Sequence, residues 1–235
     1  MHAEDVHEFV EMVRGYLLRF TQIDKGPFVA EAVQTRLAGT LLSAAQYSRA
    51  LVHYGEPPPD KITFAMGTAR VAALWQDRQF EADDLLIVTS GTEIDLVSQP
   101  GYGVATASFL PELVQETLDH FEWTRLARSP RSLVVGLEQS EAAMLRATFG
   151  AMFREAAMRP FNDQATRWAR STQKDLLHAP LECVGAPIPA TRSVSNGERA
   201  RVLKAALAAI HDQPEALIDL FSPWDKATRR VSLKQ

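Results

Sequence analysis

Apolar positions change their spacing once along this chain. Up to about residue 110 they recur in short runs broken by turns, and beyond it they recur at helical intervals. Val6, Phe9, Val10 and Val13 predict a short amphipathic helix over Glu4–Arg14. A strand over Tyr16–Ile23 follows, closed by the turn Asp24-Lys25-Gly26-Pro27. Phe28–Leu37 alternates loosely, Gly39 interrupts it, and Thr40–Tyr47 forms the next run. Ser48–Tyr54 fits strand or turn, and Gly55–Asp60, with Pro57-Pro58-Pro59, reads as a rigid surface connection without ladder donors. Lys61–Met66, Ala72–Gln76, Asp84–Thr89, Glu93–Ser98 and Tyr102–Phe109 complete a series of about eight or nine short strands. Turns recur among them roughly every 8–12 residues, the signature of an antiparallel barrel or sandwich. We read a barrel, because a helical alternative ignores its prolines, glycines and β-rich runs.

The second half has another character. Pro111 and Glu112 open a helix with Val114, Leu118 and Phe121 on one face. Glu138–Arg159 carries the strongest helical pattern, with Ala142, Leu145, Phe149, Met152, Phe153 and Ala156 in one stripe and the small pair Gly150-Ala151 beside it. Arg159-Pro160 stops it, and Asn162 caps a second helix running to about His178, with Ala165, Trp168, Ala169 and Leu176 inward. The pair makes a helical hairpin. Ala179–Gly197, with Pro180, Pro187 and Pro189, reads as a linker. Ser195-Asn196-Gly197-Glu198 is a capping box for a third helix over Arg199–His211, which Pro214 ends. The fold class expected is α+β: an N-terminal antiparallel barrel, a helical hairpin and a linker helix.

Composition narrows the picture. The chain has 235 residues, 46% of them hydrophobic, enough for one large core or two small ones. The net charge of -4 is uneven: from Arg192 onward 8 Lys+Arg face 5 Asp+Glu, and before it 17 face 24. The acidic part gives nucleic acid no attraction. The single cysteine, Cys183, excludes an internal disulfide and suits a reducing compartment. Met1–Asp5 lacks the pattern of a signal peptide, and no stretch approaches the roughly 20 apolar residues of a membrane span. A cytoplasmic protein with no membrane partner is expected.

No catalytic constellation emerges. Histidines 2, 7, 53, 120, 178 and 211 lie far apart, without His-x-His or His-Glu-x-x-His, so neither metal nor cofactor is expected. A metal-binding barrel enzyme needs clustered histidines on adjacent strands, and the strand region offers His53 beside a turn. Gly101-Tyr102-Gly103 lacks the third glycine and the helix of a dinucleotide fingerprint. Cys183 falls in a proline-bounded linker without a paired base. Tyr47, Phe64, Trp75, Phe80 and Tyr102 are candidates to line a cavity in the barrel, Trp75 and Tyr102 with polar handles for a ligand. Filling the core is their competing role.

Arg19-Phe20-Thr21-Gln22-Ile23-Asp24-Lys25-Gly26-Pro27-Phe28 resembles the opening of the sensor half of AraC-type transcription regulators, in particular the branch like the ethanolamine-operon regulator. Ser48-Arg49-Ala50-Leu51 with Gly55, Lys61–Met66 and Leu85–Phe109 continue the resemblance in order. Arg199-Ala200-Arg201-Val202-Leu203-Lys204-Ala205-Ala206-Leu207 is similar to the helix that opens that family's DNA-binding half. The resemblance implies a cupin-like barrel that senses an effector over 1–110, with its short N-terminal helix. It further implies a helical dimerisation region over 111–178, a linker over 179–197, and a truncated remnant of the DNA-binding domain over 198–235. Beyond Ala216–Leu220 the family's recognition helix is replaced by Phe221-Ser222-Pro223-Trp224, and Pro223 breaks a second helix there. The function expected is an AraC-type regulator's sensing and dimerising part, not an enzyme, and unable to bind DNA specifically by itself. Its partners would be a second copy, meeting through Leu145, Phe149, Met152 and Phe153, a small-molecule effector, or a full-length relative in a heterodimer. DNA becomes a partner if a complete DNA-binding domain is supplied. Arg199, Arg201 and Lys204, with Arg229 and Arg230, are candidates for weaker, salt-sensitive nucleic-acid contact. A cupin-type small-molecule enzyme or a non-catalytic ligand-binding protein is the alternative.

Overall fold

Helix α1 (Val6–Met12) starts where Asp5, in extended conformation, accepts a hydrogen bond from the Glu8 amide. The computed structural model describes residues 1–76, 78–118, 132–158 and 163–185. Twelve strands occur among them: β1 (His2–Ala3), β2 (Leu17–Gln22), β3 (Ala30–Leu37), β4 (Thr40–Tyr47), β5 (Leu51–Glu56), β6 (Ile62–Gly67), β7 (Ala73–Trp75), β8 (Arg78–Phe80), β9 (Asp84–Thr89), β10 (Ile94–Ser98), β11 (Gly103–Phe109) and β12 (Ser132–Gly136). Three more helices follow, α2 (Pro111–Leu118), α3 (Gln139–Met158) and α4 (Asp163–Gly185).

The strands form two antiparallel sheets, seven strands in the order β1-β3-β4-β11-β6-β9-β12 and five in the order β2-β5-β10-β7-β8. The expected closed barrel is therefore corrected to a sandwich. Closure requires one continuous ladder, and here each sheet ends on short edge strands, β8 with three residues and β12 with five. The β3–β4 hairpin turns on Ala38 and Gly39, both at positive φ, as a two-residue loop demands. At Gly55 a Cβ would strike the Leu17 carbonyl, so glycine lets β2 lie flush against β5.

Alternation along the seven-stranded sheet divides two cores. On β11, Ala105, Ala107 and Phe109 point to the helices, and Val104 points into the space between the sheets. The inter-sheet core holds Tyr47, Leu51, Trp75, Phe80, Leu86 and Val134, with Phe9 and Met12 of α1 and Val13 just after it packed into it. The other core presses Val114 of α2, Leu145 and Phe149 of α3, and Leu176, Leu177 and Leu181 of α4 onto the outer side of the same sheet. Arg146 ties α3 down, donating to the Gly67 carbonyl at 3.0 Å, to the Ala82 carbonyl, and to Asp83 Oδ1 at 2.6 Å. Gln173 of α4 donates to Thr40 Oγ1 at 2.7 Å.

Several expectations change. Strands β8 and β12 were not expected, and β12 places sheet structure inside the segment read as purely helical. Pro57 and Pro58 are buried rather than on the surface. Helix α4 continues seven residues past His178 to Gly185, through Pro180, so the linker does not begin at Ala179. Burial of Leu181 and Cys183 sustains the helix beyond a residue that lacks an amide donor. Cys183 is thus a buried helical thiol, pushed up to about 11 by burial first and then by Glu141 and Glu182. Phe121, Asn162 and the third helix over Arg199–His211 lie outside the described residues.

Candidate functional site

Two polar clusters face the space between the sheets. The first joins β4, β5 and β10: the Tyr47 hydroxyl lies 2.7 Å from His53 Nε2, and Ser98 Oγ lies 3.4 Å from the same nitrogen. Ser98 Oγ also exchanges hydrogen bonds with the Leu51 backbone, accepting from its amide and donating to its carbonyl, each at 3.2 Å. His53 is placed here by parity, since Leu51 and His53 leave the inner face of β5 while Tyr54 is exposed. Burial lowers its pKa from 6.5 to about 3, so the ring is neutral at physiological pH. Burial likewise raises Tyr47, reinforced by Tyr102, whose ring centroid lies 5.9 Å away. Tyr102 is 1% exposed, and its buried hydroxyl has no hydrogen-bond partner among the described residues. Phe9 of α1 and Phe20 of β2 roof the cluster, Phe20 standing edge-on to His53 at 4.8 Å.

The second cluster occupies the same face of the seven-stranded sheet. Tyr16 shares hydrogen bonds with Thr106 at 2.6 Å and, at 3.4 Å, with Ser108, which meets Thr63 at 2.8 Å. Thr106 donates to the Ser43 carbonyl at 3.3 Å. Gln34 of β3, in register with Ser43 of β4, holds a buried Nε2 without a partner among the described residues. Every polar group in the two clusters is uncharged near neutral pH: hydroxyls, one amide and one neutral imidazole. A buried donor without a partner costs about 1–3 kcal/mol. Tyr102 Oη and Gln34 Nε2 are two such donors on the inner face.

The sequence candidates divide by parity. Tyr47, Trp75, Phe80 and Tyr102 belong to the inter-sheet core. Phe64 does not: its neighbour Ala65 takes the inner position, and Phe64 stacks edge-on against Phe109 at 5.8 Å in the helix-side core. Of the residues proposed to meet a second copy, Leu145 and Phe149 are buried in this chain's own helix-side core, and Met152 and Phe153 pack against it in part. A side chain enclosed by its own sheet offers nothing to a partner, which corrects that assignment for the first two. Arg199, Arg201, Lys204, Arg229 and Arg230 lie outside the described residues. His53, Ser98, Tyr16 and Gln34 were missed. The signal was a run such as Val104-Ala105-Thr106-Ala107-Ser108, whose hydroxyls recur at alternate positions. Among the described residues no group of three His, Cys, Asp or Glu could hold a metal ion, and no helix is long and apolar enough to cross a membrane.

No family model matches the chain, and no curated protein matches it. Among solved structures, the AraC-like transcriptional activator CuxR is similar at a TM-score of 0.57 and 13% identity, over 91% of this chain and 78% of that one. ToxT from Vibrio cholerae O395 gives a TM-score of 0.36 at 7% identity, over 68% of this chain and 57% of ToxT. Streptomyces albus HEPD, solved with 2-hydroxyethylphosphonate and Fe(II), gives 0.27 at 15% identity, over 83% of this chain and 49% of that one. The two-sheet fold with α2–α4 on one side is thus similar to that of an AraC-like activator.

Proposed function

We propose that this chain is the sensing and dimerising part of an AraC-type transcription regulator, and that its effector is a small uncharged molecule held between the two sheets. The observation that carries this reading is the Tyr102 hydroxyl, buried without a partner among the described residues, beside the Tyr47–His53–Ser98 cluster. The fold likeness to CuxR supplies the context, since that protein is a transcriptional activator. An ion entering this space would meet no opposite charge from either cluster, so desolvation would go uncompensated. A neutral solute with several donors and acceptors meets hydroxyls, an amide and aromatic rings instead. In this reading the helical region pairs with a second copy or with a full-length relative, and the chain is not an enzyme. Specific base reading is then the task of a complete DNA-binding domain.

The test is a thermal-shift panel of neutral polyols and lactams against matched carboxylates, run on the wild type and on Tyr102→Phe. A neutral member at about 100 times its dissociation constant should add about 2.7 kcal/mol of stability. Tyr102→Phe should leave the unliganded protein as stable or slightly more so, since it deletes an unpaired buried hydroxyl. The same variant should lose most of the ligand response. A panel without any response, or an unaltered response in Tyr102→Phe, would remove the reading.

A further inference from the structure

The two sheets come together without a shared ladder where β8 ends one and β12 ends the other. A cavity of about 200 Å³ lies in that seam, lined by Trp75, Gln76, Arg78, Ser132 and Val134. Strand register accounts for the lining. Trp75 lies directly opposite Arg78 across β7 and β8, so both side chains leave the same face. Ser132 and Val134 pair with Val88 and Leu86, which are inward-facing residues of β9. Trp75 and Val134 belong to the inter-sheet core, whereas Arg78 is exposed. Among the described residues Trp75 and Val134 give the lining its apolar part, Gln76 and Ser132 are polar, and Arg78 is the one charged residue.

An arginine turned inward on an edge strand has a familiar structural use, keeping the edge from pairing with another chain. That use needs no cavity beneath the charge. Here Arg78 lines one together with Trp75, its partner in register, and no described ion pair engages it. Neither Asp95 nor Glu93 forms a described ion pair with it. Asp95 sits on the opposite face of β10 from Leu96, which pairs with Trp75, and Glu93 precedes that strand.

We propose that this seam binds a small planar carboxylate, with its two oxygens on the Arg78 fork and its ring against Trp75. Arginine presents parallel N–H donors matched to a carboxylate, and that bidentate pairing is among the stronger polar contacts available. A cavity of about 150 Å³ accommodates benzene, so the seam has room for one six-membered ring and its acid group. This site goes beyond the sensing proposed above: it takes an anion at the edge of the sandwich, where the interior clusters suit a neutral solute.

Benzoate is the probe, and benzamide is its uncharged match. Each is titrated into the full chain, followed by tryptophan emission and by ligand-observed NMR; the chain has 4 tryptophans, so Trp75→Phe identifies the reporting ring. Benzoate should bind at least about tenfold more tightly than benzamide, a gap set by the charge-assisted pair. Arg78→Met should abolish that preference, Arg78→Lys should retain part of it, and Tyr102→Phe should leave it intact, which separates this site from the sensing one. Circular dichroism should show each Arg78 variant folded, as expected for an exposed residue. Equal binding of benzoate and benzamide, or an Arg78→Met variant that binds benzoate like the wild type, would overturn the proposal and leave Arg78 as an edge guard. The NMR readout of Arg78→Met decides the matter even if Trp75→Phe does not fold.

Discussion

His53 shows what a single buried ring does to the acid behaviour of a domain. Unfolded, it takes up a proton as pH falls through about 6.5, whereas in the fold it resists protonation down to about 3. Between those values the unfolded chain binds one more proton than the native one. His53's contribution is therefore fully present above 6.5 and is lost as pH falls, by about 1.4 kcal/mol for each pH unit. Replacing it with glutamine keeps a side-chain partner within reach of Tyr47 and removes the titrating group. Urea denaturation between pH 4 and 7 should give a shallower pH slope for His53→Gln than for the wild type, by the equivalent of about one proton. Parallel slopes would mean that the imidazole is not buried in its neutral form.

Helix α3 was the clearest pattern in the chain, yet spacing alone left open what it packs on. The structure buries Leu145 and Phe149 in one core with Phe64, Ile87 and Phe109 of the sheet. Leu145→Ala should thus cost about 2–5 kcal/mol, measured by chemical denaturation. The loss should be the same at low and high protein concentration, because the cavity opens inside one chain. A loss that grows on dilution would point to an interface instead. Most strands up to Phe109 were legible because they are β-rich runs set off by turns, as Gln99-Pro100-Gly101 sets off β11, whereas β1 and β8, of two and three residues, were too short to show a pattern. Strand β12 was not legible either, since Ser132–Gly136 is five residues long and its partner β9 lies far back in the chain. The interior clusters were half legible: Tyr47 and Tyr102 stand out as aromatics, while His53 gained its meaning only when β5 was seen paired to β10. Phe64 was misplaced because a one-residue shift in parity moves a side chain through the sheet.

At the scale of the whole molecule, association with a second copy is the part of the proposal that the cores constrain. With Leu145 and Phe149 enclosed, the face of α3 left for a partner includes Met144, which is 46% exposed. Light scattering across a concentration series should give a dimer, and Met144→Glu should shift it toward monomer without lowering the unfolding midpoint at high dilution. A wild-type protein that stays monomeric at high concentration would set the pairing aside.

The late return of β12 has a consequence for how this chain is made. Its five residues cover the free side of β9, pairing Ser132 with Val88 through to Gly136 with Asp84. Until residue 136 has left the ribosome, the Leu85-Leu86-Ile87-Val88 run is an uncapped template, apolar and free of proline or charge. A nascent or clipped product that stops after β11 holds nearly the whole sandwich and still carries that sticky border. Cutting this protein at the point where its hydrophobic spacing changes would thus yield filaments or inclusion bodies rather than a tidy half.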